Sequence, residues 1–171
     1  MDPYELKARL QMTRKQLLAT IAGVTEEQFK KRPPASDADP EPWCIAEVLA
    51  HLLASERVEA ERISLAIEHD RTAITPRAAD WHATTARAGR LAPVPQLIHG
   101  LLASRREIEQ LIDRALSLEN GLMRAVTHPE RGRDTVLWMV EAKVIEHEAE
   151  HVAQIEAIKA AVAQGAGQHD R

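Results

Sequence analysis

The chain has 171 residues, of which 44% are hydrophobic and 28% charged, with a formal charge of −4, one cysteine and eight histidines. That length suits one domain with a true core. The acidic balance excludes the basic face usual in a nucleic-acid binder, the lone Cys44 excludes an internal disulfide, and no apolar run approaches the roughly 18 residues a membrane span needs. Met1-Asp2-Pro3-Tyr4-Glu5 lacks a basic and then apolar leader, so a cytoplasmic protein is expected. Aromatics make up only 3%, which leaves the core to Leu, Ile, Val and Ala.

The first predicted helix carries Leu6, Leu10, Thr13, Leu17, Ile21 and Val24 at three- and four-residue steps, with Gly23 as a stop signal. The Pro-rich stretch from Pro33 to Pro42 excludes regular structure. A second helix starts near Cys44 and runs to about His69 through Ile45, Val48, Leu49, Leu52 and Ile63. Residues 71–93 read as a long connection with breakers at Pro76, Gly89 and Pro93. Pro95 suits the first turn of a third helix, which shows Leu97, Leu101, Ile108, Leu111, Ile112 and Ala115 and ends at Asn120-Gly121. After a loop holding His128-Pro129-Glu130-Arg131-Gly132, the fourth helix is expected from about Asp134 to Ala163.

No strand signal and no internal repeat stand out. Four apolar stripes are buried most simply in an all-α, four-helix bundle, residues 1–164, followed by a flexible tail, residues 165–171. The links near residues 25–43 and 71–93 are longer than antiparallel turns need, so crossover connections are expected. The charged faces of the four helices read as solvated surface.

The chemistry concentrates in His147-Glu148-Ala149-Glu150-His151. Residues four apart share a helix face, so both imidazoles can grip one ion, and His51 from a facing helix completes a three-nitrogen set. Val140, Val144, His147, His151, Gln154, Ile155 and Ile158 fall on one stripe, and His51 lies beside Val48 and Leu52. The alternative is three ordinary core histidines, each needing partners for its ring nitrogens. His69, His82, His99, His128 and His169 have no partner at ligand spacing and read as structural. The segment also matches H-E-x-x-H, the zinc-peptidase pattern with Glu148 as base. Gln154 and Ala157 stand where the extended pattern wants glycine and histidine.

Trp43-Cys44-Ile45-Ala46-Glu47-Val48-Leu49-Ala50-His51-Leu52 resembles the start of the second helix in the DinB/YfiT-like family, which opens Trp-Ser and carries a metal-binding histidine. His128-Pro129, Gly132, Thr135 and His147 through His151-Val152-Ala153-Gln154-Ile155 are similar to the family's closing segment. The resemblance implies a four-helix bundle holding a divalent metal, nickel or zinc foremost and iron among the others, at His51, His147 and His151. It also implies frequent homodimers. Relatives include thiol-dependent S-transferases and a mycothiol-dependent isomerase, beside members without known activity. The family's Ser is Cys44 here. With Glu47 it makes a capping box around a poor acceptor, and the thiol is either packed or acidified by the helix terminus.

Two functions are expected on these grounds. One is metal-assisted transfer to a low-molecular-weight thiol. The other is a binding or stress-response module whose metal is structural or whose site is vestigial. Leu52 beside Leu53 and Leu101 beside Leu102 widen their stripes, so a symmetric homodimer is expected to bury one such patch.

Overall fold

The computed structural model describes residues 3–128 and 132–167. Helix α1 (Pro3–Ile21) is followed by one-turn α2 (Glu26–Lys30), long α3 (Ile45–Glu68), short α4 (Trp81–Ala88) and long α5 (Val94–Leu116). The fourth long element is composite: α6 (Val136–Val140), a π-helical turn (Glu141–Glu146) and α7 (His147–Gly167). Helix α1 packs chiefly on α7 and α3 chiefly on α5, while α3 also adjoins α7 and α1 adjoins α5. Consecutive long helices α1 and α3 therefore sit across the bundle from each other, as do α5 and α7. The expected crossovers exist, but the second is the link after α5 rather than residues 71–93, which join the neighbours α3 and α5.

A small sheet ties that second crossover to the α3–α5 link. Strands β1 (Thr72–Ala73), β2 (Ala125–His128) and β3 (Gly132–Thr135) lie in that order. β1 runs parallel to β2 with Thr72 opposite Val126, and β2 antiparallel to β3 with Ala125 opposite Thr135. Strands of two to four residues are too short to leave an alternating pattern, so they give no signal in the sequence. Asp134 belongs to β3, and the fourth helix starts two residues later than expected, at Val136, with the Thr135 hydroxyl accepting the Trp138 N–H at 3.2 Å. Residues 129–131 of the His-Pro loop lie outside the described residues. The last helix continues to Gly167, and residues 168–171, including His169, also lie outside them.

Helices α2 and α4 are hidden from the sequence for the same reason, being too short to show a helical period. Thr25 and Gln28 close a capping box on α2, each side chain accepting the other's amide at 3.3 and 2.9 Å. Helix α4 docks its C-terminus on the start of α3. A Cβ on Gly89 would stand 2.2 Å from the Ala46 carbonyl oxygen, so no larger residue fits there.

The core is divided. Leu6, Leu10, Ile63, Ile67, Ile108, Ile112, Met139 and Val140 fill one end, and Leu17, Ile45, Leu49, Leu101, Ile155 and Ile158 the other. Between them lies a ring of four buried charges, one from each long helix. Arg14 bonds Glu148 at 2.7 Å and Glu56 at 2.9 Å; Arg105 bonds Glu56 and Glu148, each at 2.7 Å. None of the four side chains is more than 6% exposed. The remaining donors turn to backbone: Arg14 to the Leu101 carbonyl and Arg105 to that of Leu10. The charged positions are expected on solvated faces, and for these four that expectation is wrong. Every charge in the ring meets two opposite charges, which is the condition for keeping ions in a core.

Cys44 is likewise settled by burial. It is 2% exposed, and burial, followed by the Glu47 carboxylate, pushes its thiol above the ordinary value, although backbone amides pull the other way. It is a packed thiol, not an acidified one. Glu47 accepts the Cys44 N–H at 2.9 Å and receives Arg32 and Arg90, each at 2.6 Å. Burial opposes its charge, but these bonds outweigh it and hold the carboxyl below its ordinary value. Glu47 is therefore a clamp between α3 and its flanking loops. Cys44→Ser should be neutral or stabilising by several tenths of a kcal/mol in urea unfolding, at the low end of cap effects of roughly 0.5–2 kcal/mol. A loss above about 1 kcal/mol would show that sulfur packing outweighs the cap.

Candidate metal centre

His51 stands two turns into α3, and His147 and His151 stack on the first turn of α7. The π-helical turn Glu141–Glu146 ends directly before His147. Such turns carry one extra residue, rotate the helix beyond them about its axis, and are frequent at functional sites. Glu148, bonded to Arg14 and Arg105 in the buried ion ring, holds the helix in that rotation, with the adjacent His147 at the cleft.

Three ring nitrogens meet. His147 Nε2 lies 3.4 Å from His51 Nε2 and 3.2 Å from His151 Nε2. In a tetrahedral site with metal–nitrogen bonds of about 2.0–2.1 Å, ligand nitrogens are about 3.3 Å apart. Two of the rings also have their protons fixed away from the centre. Thr85 Oγ1 donates to the Trp81 carbonyl at 2.9 Å, which leaves it to accept from His51 Nδ1 at 3.3 Å. His151 Nδ1 donates to Gln154 Oε1 at 2.7 Å. Both Nε2 atoms thus present lone pairs toward His147. A proton on His147 Nε2 could serve only one of these lone pairs, whereas a divalent ion takes up all three, so the donor set fits such an ion. Among the described residues the group able to hold one is His51, His147 and His151.

The surroundings keep the rings neutral. Burial, then the neighbouring histidines, pushes His51 from 6.5 down to about 3, and burial, then His151, does the same to His147. Burial also lowers His151, partly offset by Gln154 and Glu150. Neutral imidazole is the form that binds metal. His51 is 1% exposed, whereas His147 and His151 are half-buried at a cleft of about 470 Å³ lined also by Trp43, His82 and Gln154.

These shifts make stability depend on pH. The folded-state values lie below those of the unfolded chain, so between about pH 6.5 and pH 3 the unfolded chain binds more protons. Metal-free protein should lose stability as pH falls through that interval and be insensitive to these groups above it. Urea midpoints in EDTA should drop less steeply with acid in His147→Ala than in wild type. Parallel curves would remove His147 as a source of the slope.

The remaining predicted residues lie apart from the ligand set. His99 and His69 are exposed and away from the cluster. Glu148 is bound to two arginines and 1% exposed, so it cannot serve as a peptidase base. Two histidines differ from expectation. His82 is on α4, not in a loop, with its ring 5.0 Å from that of His51. His128 is a buried strand residue packed against Trp138 at 5.5 Å. The tryptophan preceding His82 is the available signal: Trp81 packs its ring 5.5 Å from His51.

Fold and site together define a helical-bundle protein with a candidate three-histidine metal centre. The model of the DinB superfamily matches residues 9–155, and the chain belongs to that family. YfiT from Bacillus subtilis, described as "a probable metal-dependent hydrolase with an unusual four-helix bundle topology", is similar in structure. The TM-score is 0.73 at 17% identity, covering 94% of this chain and 87% of that one, a likeness that establishes the fold. No protein with a curated description matches the chain.

Proposed function

We propose that this chain is a metal-dependent enzyme that transfers a group to a small thiol. The observation that carries the reading is the convergence of three Nε2 atoms, with no fourth protein ligand among the described residues, at the wall of an open cleft. A structural zinc site is normally closed by four protein ligands, whereas a catalytic one keeps a position for substrate. A divalent ion held there supplies positive charge that acidifies a thiol or water and polarises an electrophile. His51, His147 and His151 hold the ion, with nickel or zinc expected first because imidazoles suit both. Thr85 and Gln154 fix the ring protons, and Trp43 and Trp81 pack against His51. In the reaction the thiol loses its proton to solvent, its sulfur bonds the electrophilic carbon, and the leaving group departs with its electron pair. The likeness to YfiT supports hydrolysis as a second reading, in which water takes the place of the thiol.

Cobalt-substituted protein should change its visible spectrum on addition of 2-mercaptoethanol, and His147→Ala should lose that change. A spectrum that ignores thiols but responds to hydroxide would replace transfer by hydrolysis, and one that ignores both would favour the binding-module reading. Cytoplasmic location remains part of the proposal; no helix among the described residues is long and apolar enough to cross a membrane. A homodimer is also proposed, on family resemblance alone. Leu52 and Leu53 are buried within the chain itself, so the breadth of that stripe no longer argues for it.

A further inference from the structure

A second cleft, of about 380 Å³, adjoins the three histidines and shares His82 and His147 with the first. Its size lies in the lower part of the roughly 300–1,000 Å³ range of small-molecule sites. Its charge runs against that of the chain. Arg62, Arg77 and Lys143 line it, and Glu59 is the one carboxylate among its described lining residues. The wall therefore carries a formal +2, from three cations and one anion, on a chain of −4.

Glu59, with a side chain 1% exposed, is shared by two guanidinium groups, Arg62 at 2.9 Å and Arg77 at 2.5 Å. Arg77 lies over the Trp81 ring at 4.1 Å, and its Nε is buried without an acceptor. Lys143 Nζ sits over the Trp138 ring at 5.3 Å and has no carboxylate within 4.0 Å among the described residues. Such uncompensated charge, focused by a concave wall, attracts an anion. A guanidinium held over a ring, beside an ammonium, suits carboxylate and phosphate oxygens.

We propose that this cleft is an oxyanion subsite that takes the carboxylate or phosphate group of a small substrate whose reacting end lies at the three histidines. The position of the reacting end rests on the metal-centre reading; the anion site rests on Arg62, Arg77 and Lys143 and stands without it.

The test is calorimetric titration of metal-free protein at low ionic strength, where charge contacts are least screened. The probes are glutarate, its neutral diamide glutaramide, and inorganic phosphate. Glutarate should saturate one site per chain, and glutaramide should give no binding heat. Lys143→Gln and Arg77→Gln should each weaken glutarate by about tenfold or more, as loss of a close charge partner does, while exposed Lys15→Gln leaves it unchanged. Lys143 holds no ion pair among the described residues, so its variant separates binding from folding if Arg77→Gln is unstable. Tighter binding of phosphate than of glutarate assigns the site to phosphoryl groups, and the reverse assigns it to carboxylates. Equal heats from glutarate and glutaramide, or glutarate binding retained in both cleft variants, overturns the proposal. Because no metal is present, glutarate binding beside a silent cobalt spectrum would sink the transferase reading alone, and the converse would sink only the subsite.

Discussion

Glu148→Gln should lower the unfolding free energy by about 3–5 kcal/mol, because it leaves Arg14 and Arg105 in the core with half of their counter-charge. Both arginines have side chains no more than 6% exposed, and neither can reach water without opening the bundle. Arg105→Ala should cost a similar amount by leaving Glu56 and Glu148 with Arg14 as their one shared counter-charge, besides emptying the space its stem fills. Natural domains are stable by only about 5–15 kcal/mol, so either change puts the fold at risk. Lys7 and Asp113 provide the control. They pair at 2.7 Å with side chains 32% and 59% exposed, and Lys7→Ala should fall within the roughly 0–1 kcal/mol typical of surface pairs. Urea unfolding in EDTA measures both. A loss below about 1 kcal/mol for Glu148→Gln would mean that the ring is not held as described.

The second large effect is stabilisation by the ion itself. A ligand that binds only the folded state at a thousand times its Kd adds about 4.1 kcal/mol. For a domain of this size that corresponds to a rise in Tm of roughly 8–16 °C, at about 2–4 °C per kcal/mol. Zinc or nickel at saturating concentration should produce such a rise in wild type and in His99→Ala. His51→Ala and His147→Ala should show almost none, since two remaining nitrogens do not enclose an ion. Glu148→Gln is informative here too. Glu148 is no ligand, yet it fixes the rotation of α7, so its loss should reduce the metal-induced rise without abolishing it. An unchanged rise would uncouple the ion ring from the metal centre.

Much of this is readable from spacing. The four long helices follow from apolar positions three and four apart, and the i, i+4 pair His147/His151 announces a shared face. His51 is found because it lies on the apolar stripe of its helix. The buried ring escapes such a reading, although its signal is present. Arg14 lies four residues after Leu10 and three before Leu17; Arg105 lies four after Leu101 and three before Ile108; Glu148 lies four after Val144. Two cations and two anions on apolar stripes of four helices sum to zero charge, which is what a closed ionic layer requires. Taken one helix at a time, each resembles a surface residue. The small sheet and α4 are not legible, because strands of two to four residues and a helix of eight have too few positions to show a period. His82 and the cationic cleft are lost with them, since only the folded links bring Arg77 and His82 against Lys143 and His147. The π-helical turn is invisible to periodicity for another reason: it shifts phase by one residue within a helix that otherwise reads as continuous.

One ion is expected to bridge α3 and α7. Metal content of untagged protein, purified without added metal and then loaded with zinc and dialysed, tests it most directly. Wild type and His99→Ala should retain about one ion per chain, because His147 Nε2, at 3.4 Å from His51 Nε2 and 3.2 Å from His151 Nε2, has the spacing of a tetrahedral site. His51→Ala, folded by circular dichroism, should retain none, because His147 and His151 alone offer two nitrogens from a single helix. Full retention of zinc in His51→Ala would mean that no ion bridges α3 and α7.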